Sequence, residues 1–300
     1  MTFPVAFTKV RRIHRTSETA SDAPPLSAIL PAPLAAEVQT LRRGPWLQLI
    51  RPGPFERTRA TLPIPGLPSA LEGLRIIHLT DLHFRPTWFA DYDRLLDDLR
   101  ADSPDLVLIT GDFVEQRLLQ RRAVDNVARF CRGLTSRLGT FAITGNHDGD
   151  FLAARIGGWD LTLIENGRVL IEDADGAAIE LIGLPGVHRL DLDWNFTDCQ
   201  PAKPQRAVRI VLSHYPDHIR NIAPLAADVM LAGHTHGGQC CMPGRVPLIW
   251  HDDLPRRYAS GVHRWDGTWL VVGRGLGFAT LPWRTFCPTE VMEIVLKRQT

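Results

Sequence analysis

Five short polar clusters follow apolar stretches of the sequence, and their side chains are of the types that bind transition metals. In chain order the clusters are Asp81-Leu82-His83, Gly111-Asp112, Gly145-Asn146-His147-Asp148, Ser213-His214 and Gly233-His234-Thr235-His236. Their donor atoms are carboxylate oxygens, an amide oxygen and imidazole nitrogens, without a thiolate. Such donors favour Mn, Fe, Zn, Co or Ni over a calcium cage. The clusters therefore predict a site for divalent transition metals.

The spacing within the clusters indicates how the donors meet and what they do. Side chains two residues apart on an extended segment point to one side, so Asp81 with His83, and His234 with His236, are expected to face one cavity. Two cations roughly 3.5 to 4 Å apart can hold a bridging hydroxide and stabilise the entering and leaving oxygens of an in-line displacement at phosphorus. The pattern therefore indicates phosphoester hydrolysis.

The segments before the clusters are those of an α/β chain. In an open α/β sheet, ligands bind at the carboxyl ends of the strands, which is where the five clusters stand. Apolar residues at helical spacing predict helices over 91–99 and 118–134. Short β-branched runs predict eight strands, over 74–79, 106–109, 140–143, 178–184, 208–212, 229–231, 269–272 and 291–296.

Taken in order, the motifs D-x-H, G-D, G-N-H-D, a lone H and G-H-x-H resemble those of the calcineurin-like metallophosphoesterase superfamily, over about 55–296. The resemblance implies an α/β (α+β) fold, a four-layer αββα sandwich of two mixed sheets flanked by helices. It implies that Asp112 bridges two metals, that His147 protonates the leaving oxygen and that Asp148 orients the His147 imidazole. The implied ligands are Asp81, His83, Asp112 and His236 for one metal, and Asp112, Asn146, His214 and His234 for the other.

The segments 50–68, 237–239, 273–277 and 282–290 are similar to one bacterial subgroup, which includes UDP-2,3-diacylglucosamine pyrophosphatase-like enzymes and related phosphodiesterases. The expected function is hydrolysis of a phosphodiester or pyrophosphate bond by hydroxide activated by two metals, with Mn, Fe or Zn as the expected ions. UDP-2,3-diacylglucosamine or a related lipid precursor is the expected substrate. The alternatives are a phosphomonoesterase or nucleotide phosphodiesterase of the same fold, and a non-catalytic metal-binding scaffold.

Composition limits the partners. The net charge is +1, so no global field recruits nucleic acid, and a small-molecule or lipid-linked phosphoester is the expected partner; the oligomeric state stays open. The five cysteines are odd in number and lack the spacing of a disulfide scaffold, which favours the cytoplasm. No apolar run reaches the roughly 18 residues of a membrane-spanning helix.

The chain is expected to divide near residue 55. The first 70 residues hold 11 of the 23 prolines, so 1–54 is predicted to be a loosely ordered N-terminal extension and 55–300 the metallophosphoesterase domain. The basic stretch 9–15 is typical of a solvated tail, with peripheral contact to the anionic inner membrane as the alternative.

Three features outside the motifs leave alternatives open. His78 lies within a predicted strand and is expected to be a buried, hydrogen-bonded core residue. Arg274 and Arg284 are expected to be solvated or to bind a substrate phosphate. The glycine-rich loop 273–277 is expected to form a turn beside the metal site.

Overall fold

The structure is a computed structural model, and the residues described are 7–13, 35–115, 120–173, 176–188 and 207–299. These residues include three α-helices, α1 (Ala90–Asp102), α2 (Gln120–Gly133) and α3 (Asp150–Ile156). None of the helices in these ranges has both the length and the apolar composition needed to cross a membrane. The strands are β1 (Phe7–Ile13), β2 (Glu37–Arg42), β3 (Leu47–Leu49), β4 (Glu56–Ile64), β5 (Arg75–Leu79), β6 (Leu106–Thr110), β7 (Thr140–Ile143), β8 (Thr162–Leu163), β9 (Gly167–Asp173), β10 (Ala178–Gly183), β11 (Ala207–Leu212), β12 (Val229–Ala232), β13 (Cys241–Met242), β14 (Val246–Pro247), β15 (Gly261–Trp265), β16 (Thr268–Val272), β17 (Trp283–Thr285) and β18 (Glu290–Arg298).

All eight predicted strands are confirmed, with their ends shifted by at most two residues, as β5, β6, β7, β10, β11, β12, β16 and β18. Both predicted helices are confirmed as α1 and α2, although residues 118–119 of the second prediction lie outside the described residues. The apolar strands were recognisable because strands covered on both faces are apolar throughout, as in β6. The sequence analysis missed β4, which alternates polar and apolar residues, and β2, whose side chains are all exposed.

Two large mixed sheets pack face to face. The first sheet has seven strands in the order β2-β4-β18-β5-β6-β7-β8, and the second has five in the order β10-β11-β12-β16-β15. Alternate residues of each strand face opposite layers. In β5, for example, Ile76 belongs to the core between the sheets, whereas Ile77 packs with the apolar side chains of α1 and α2.

The expected sandwich is therefore present as a mixed α/β fold, with one difference in its fourth layer. The outer face of the second sheet is covered by Ile219, Ile222 and Leu225. In the described part of the chain these residues come from the 3₁₀-helices Pro216–Arg220 and Ala223–Leu225 and the turn between them, rather than from an α-helix. Residues 189–206, which precede β11, lie outside the described ranges.

Sheet pairing begins upstream of residue 55, the expected start of the domain. Strand β2 pairs antiparallel with β4, and β3 pairs antiparallel with β17. Strand β1 pairs antiparallel with β9. The residues 35–54 therefore contribute to the same sheets as the rest of the chain, whereas most of the stretch expected to be loosely ordered, 14–34, lies outside the described residues.

The topology brings the polar clusters to one edge of the molecule. Strands β5, β6 and β7 are parallel neighbours in the first sheet, and β11 and β12 are parallel neighbours in the second. The clusters follow the carboxyl ends of these five strands. The His214 imidazole, after β11, donates from Nδ1 to the carbonyl of Thr110 at the end of β6 at 2.8 Å, so the two sets of strand ends meet.

Candidate metal centre

The predicted ligands converge into two groups of donor atoms. In the first group, His236 Nε2 lies 3.3 Å from Asp81 Oδ1 and 3.0 Å from His83 Nε2. His83 Nε2 also lies 3.4 Å from Asp112 Oδ2. The side chains of Asp81 and His83 are buried, so the four donors surround one interior point at the end of β5. The first group thus contains Asp81, His83, Asp112 and His236.

The second group lies on the other side of the same carboxylate. His214 Nε2 is 3.3 Å from Asp112 Oδ2 and 2.9 Å from Asn146 Oδ1. His234 Nδ1 is 3.0 Å from the same Asn146 oxygen. Asp112 is therefore shared by the first group and by the second group, which contains Asp112, Asn146, His214 and His234. All seven predicted ligands are brought together.

The sequence predicts an extended backbone at these side chains, but in the structure the backbone there is not extended. The residues Asp81, His83, Asp112, His234 and His236 all have positive φ, between 42° and 68°. Side chains other than glycine seldom adopt this left-handed region, and such strain concentrates at functional sites. Because the backbone turns at each of them, His234 and His236 face different groups instead of one point.

Two glycines permit the close approach of the loops. A Cβ atom on Gly145 would overlap the Asp112 carboxylate, and one on Gly233 would overlap the side chains of Thr80 and Asp81. Any larger residue would therefore push the Asn146 or His234 loop away from the first sheet.

Three of the four histidines are oriented by acceptors at their second ring nitrogen. His83 Nδ1 lies 3.1 Å from a Glu115 carboxylate oxygen, and His234 Nε2 donates to the carbonyl of His251 at 3.0 Å. The hydrogen bonds of His214 and His234 leave a lone pair on the nitrogen that faces the centre, as in metal-binding histidines, whereas His83 and Glu115 are close without the alignment of a hydrogen bond. Glu115 is buried and was missed by the sequence analysis, because no motif marks a carboxylate three residues after Asp112.

The fourth histidine, His236, has a guanidinium in place of an acceptor. Arg284 is fully buried and donates from Nη2 to His236 Nδ1 at 2.9 Å, and from Nη1 to the His236 carbonyl at 3.1 Å. Because Arg can only donate, His236 Nδ1 is the acceptor, so the neutral ring holds its proton on Nε2, toward Asp81 Oδ1, and His236 would bind a cation through Nε2 only if its contact with Arg284 were released. Burial, His83 and the Arg284 charge hold the pKa of His236 well below its ordinary value.

Neither alternative expected for the two arginines holds. Arg274 is also buried, and its guanidinium pairs with Glu56 at 2.7 Å and with Glu290 at 2.9 Å. Both guanidinium groups are thus engaged inside the protein, so neither is a solvated or a phosphate-binding side chain. The loop 273–277, which contains Arg274, lies beside the site as expected, since Leu276 and Gly277 donate backbone N–H groups to the Asp81 carbonyl at 3.2 and 2.8 Å.

The donor groups are suited to divalent cations because atoms with lone pairs face one another without a proton between them. The Nε2 atom of His214 and the Oδ1 atom of Asn146 are 2.9 Å apart, although the imidazole proton is already on Nδ1. Such a contact needs a proton or a cation between the atoms. Burial opposes protonation, yet the neighbouring Asp112 and Asp81 carboxylates raise the pKa of His214 to about 9. A divalent cation would replace that proton.

The structure corrects the expected contact between Asp148 and His147. The Asp148 carboxylate accepts backbone N–H bonds from Phe113 and Gly145, both at 2.9 Å, and its burial beside Asp112 raises its pKa to about 7. His147 Nδ1 instead contacts the carbonyl oxygen of Glu115. Asp148 is therefore placed to tie the ligand loops after β6 and β7 together.

A cleft of about 830 Å³ opens onto the centre and is lined by His147, His234 and Asp112. Its lining also includes Leu248, Ile249 and Leu281. A cleft of this size with an apolar wall and a few converging polar groups is typical of a site for a small organic molecule. His188 also lines it.

The model of the calcineurin-like phosphoesterase family matches residues 74–238, more than half of the chain. The match covers the whole segment from β5 to the His236 loop, and with it every residue of the two donor groups. The chain belongs to the calcineurin-like phosphoesterase family, and it is a metal-dependent phosphoester hydrolase.

Curated relatives agree with this assignment. "Uncharacterized metallophosphoesterase YkuE" of Bacillus subtilis (strain 168) is 26% identical over 260 residues, which are 84% of this chain and 89% of the relative. "Phosphodiesterase YaeI" of Escherichia coli (strain K12) is 28% identical over 257 residues, which are 81% of this chain and 89% of the relative. "Transmembrane protein with metallophosphoesterase domain" of Danio rerio is 26% identical over 260 residues, and there the match spans only 56% of the relative.

Proposed function

We propose that this chain is a dinuclear phosphodiesterase or pyrophosphatase whose two metals are held by the first and second groups and bridged by Asp112. The observation that carries the proposal is the sharing of one buried carboxylate oxygen, Asp112 Oδ2, at 3.4 Å from His83 Nε2 and 3.3 Å from His214 Nε2. When bound, two such ions supply Lewis acidity at phosphorus and lower the pKa of water. Mn, Fe or Zn suit the nitrogen and oxygen donors.

In this proposal His147 is the catalytic acid. Its backbone N–H donates to Asp112 Oδ1 at 2.8 Å, which places the residue at the bridging carboxylate, and its ring lies at the cleft. With the Nδ1 proton directed at the Glu115 carbonyl, the proton for the leaving oxygen would sit on Nε2. Asn146 and His147 would contact the phosphoryl oxygens, and Asp148 would position both residues through the loop backbone.

For the substrate we propose a phosphodiester or pyrophosphate with an apolar substituent, and UDP-2,3-diacylglucosamine or a related lipid precursor is the specific candidate. The support is that Leu248, Ile249 and Leu281 line the same cleft as the polar donors. The relative from Escherichia coli, which is named a phosphodiesterase, supports a diester over a monoester. A phosphomonoesterase or nucleotide phosphodiesterase is the second candidate, because the metal chemistry is the same for each.

A non-catalytic scaffold is the less favoured alternative. Seven metal donors and His147 are all retained, and a chain that served only as a binding surface would not need the strained backbone at five of them.

We further propose that the protein acts in the cytoplasm, with peripheral contact to the inner membrane as a second property. The basic stretch 9–15 is one candidate for that contact, although residues up to Ile13 pair with β9. Liposome co-sedimentation with and without residues 1–20 tests it, and equal binding of the two forms would exclude this stretch.

The experiment that tests the function combines metal analysis and turnover on one preparation of purified protein. We expect about two transition-metal ions per chain, and Mn²⁺-dependent hydrolysis of bis-p-nitrophenyl phosphate that exceeds hydrolysis of p-nitrophenyl phosphate. Turnover of UDP-2,3-diacylglucosamine would support the specific substrate. A metal-free, inactive protein would instead favour the scaffold, and a preference for the monoester would favour the phosphomonoesterase.

A further inference from the structure

The two-stranded sheet of β3 and β17 buries polar side chains and exposes apolar ones, the reverse of an ordinary surface ribbon. Its polar side chains, Gln48 and Arg284, are 3% and 0% exposed. The cross-strand pair Leu49 and Trp283, on the other face, is 58% and 39% exposed. A two-stranded ribbon at a protein surface normally buries its apolar face, so an exposed apolar face with buried polar residues marks an interaction surface.

The exposed apolar side chains continue from this ribbon to the mouth of the cleft. Ile50, after β3, is 70% exposed and donates its N–H to the carbonyl of Pro282 at 2.6 Å. On the other side, Cys240 bridges to Thr285 of β17, and Leu248 donates to the Cys240 carbonyl at 3.2 Å. We call this surface the apolar face, defined by six exposed side chains: Trp46, Leu49, Ile50, Leu248, Ile249 and Trp283.

Exposed arginines lie on the segments of the apolar face, and the acidic residues Asp252 and Asp253 follow directly after one of these segments. The three segments that form it, 43–52, 239–251 and 279–289, contain no aspartate or glutamate. They carry the exposed arginines Arg43 and Arg51 and the partly exposed Arg245. Arg51 and Arg245 each contact a buried carboxylate, of Asp91 and Glu56, but their side chains remain 55% and 45% exposed. An apolar surface that carries exposed arginines is complementary to anionic lipid.

We propose that the apolar face docks on an anionic phospholipid bilayer. Trp46 and Trp283 are residues that favour the membrane interface, where the ring body meets acyl chains and the indole N–H meets headgroups. Leu248 and Ile249 belong both to the apolar face and to the cleft, so docking would open the cleft toward the lipid. The docking itself does not depend on the proposed reaction. Only the further step, that a lipid-linked phosphoester enters the cleft from the bilayer, rests on the proposed function.

The test is co-sedimentation of the full chain with vesicles of phosphatidylcholine alone and of equimolar phosphatidylcholine and phosphatidylglycerol. The variant Leu49→Gln/Ile50→Asn removes two apolar side chains from the face. Asn is chosen because Ile50 has φ of 63°, a conformation that Asn adopts more readily than a β-branched residue. The matched control is Val38→Asn/Leu41→Gln, which changes two apolar residues of β2 that are 53% and 44% exposed.

We expect the wild type and the control to bind the anionic vesicles alike, and the variant to partition about 100-fold less, since each of the two aliphatic side chains is worth about tenfold. Turnover of bis-p-nitrophenyl phosphate should be the same in all three proteins. Equal binding of the variant and the wild type, or no binding by any of them, would refute docking. A dimer in solution that the variant abolishes would assign the face to a second copy instead. An inactive wild type that still binds vesicles through this face would refute the proposed function alone.

Discussion

The two donor groups of the metal centre share Asp112 but are supported in different ways. In the second group, His214 and His234 both direct their outer nitrogen to backbone carbonyls, those of Thr110 and His251. In the first group, the outer nitrogen of His83 faces the Glu115 carboxylate, and that of His236 faces the Arg284 guanidinium. One group is therefore held by the backbone of the fold, and the other by two side chains.

This difference has chemical consequences. A carbonyl acceptor fixes the tautomer of a histidine without adding a charge, whereas a carboxylate raises the basicity of the ring and a guanidinium lowers it. The pKa values of the two histidines shift in opposite directions, as this account expects. Burial lowers the pKa of His83, but Glu115 and the nearby carboxylates outweigh it and raise the pKa. Burial and the Arg284 charge lower the pKa of His236. We infer that mutation of the supporting side chains can change the metal affinity of the first group without loss of the fold. The second group has no such side chains, because backbone carbonyls support its histidines.

Replacement of the shared ligand should have the largest effect, because it breaks both groups at once. Asp112→Asn keeps the shape of the side chain but removes the negative charge between His83 and His214. We expect turnover of bis-p-nitrophenyl phosphate to fall by about 10³-fold or more, since a bridging carboxylate supports several kcal/mol of charge stabilisation. Asp93→Asn, at an exposed ion pair with Arg129, is the matched control and should retain activity. Activity near that of the wild type in Asp112→Asn would contradict a two-metal mechanism.

A smaller and selective effect is expected from Glu115→Gln, which alters only the first group. The amide still fills the space beside His83 Nδ1, but it lacks the charge, and loss of such a support typically lowers metal affinity 10- to 100-fold. Metal titration followed by elemental analysis should show one of two sites weakened. His251→Ala is the matched change at the second group, where only the backbone carbonyl contacts His234, and it should leave both sites filled. Equal weakening by the two variants would show that the groups are not supported differently.

The sequence was sufficient to predict that the seven proposed ligands lie close together, because each follows an apolar strand whose burial on both faces is readable from composition. It was not sufficient to predict how the ligands are presented. Aspartate and histidine adopt positive φ more often than most residues but still seldom, so the five positive φ angles depend on how the loops pack, as where Gly145 packs against Asp112.

Supporting residues were harder to predict than ligands for a related reason. Glu115 is 32 residues away from His83, and Arg284 is 48 residues away from His236. How such distant segments align depends on the whole fold. The ribbon of β3 and β17 was missed for the opposite reason: its polar residues are buried and its apolar ones exposed, so its pattern predicts the wrong face. A prediction from sequence assumes that apolar residues are buried, so it gives the wrong face where apolar residues are exposed and polar residues are buried.

A histidine outside both groups provides the last and smallest test. His78 is buried within β5, where Nε2 contacts the Thr110 hydroxyl at 2.9 Å, and burial lowers its pKa to about 3. In unfolded protein the ring binds a proton near pH 6.5, so between pH 6.5 and 3 the unfolded state holds a proton that the folded state lacks. Stability is therefore lost as pH falls through this window, by about 2 kcal/mol at pH 5.

His78→Gln removes this titration while keeping a group that can bond to Thr110. Urea unfolding at pH 7.5 and pH 5.0, with a chelator present to remove metal, should show the wild type losing about 2 kcal/mol more than the variant over this interval. The ligand histidines titrate in both proteins, so their contribution cancels in the difference. An identical loss of unfolding free energy in the two proteins would mean that His78 binds its proton equally well in the folded and unfolded states. Burial alone would then not distinguish a core histidine from the histidines of the two donor groups.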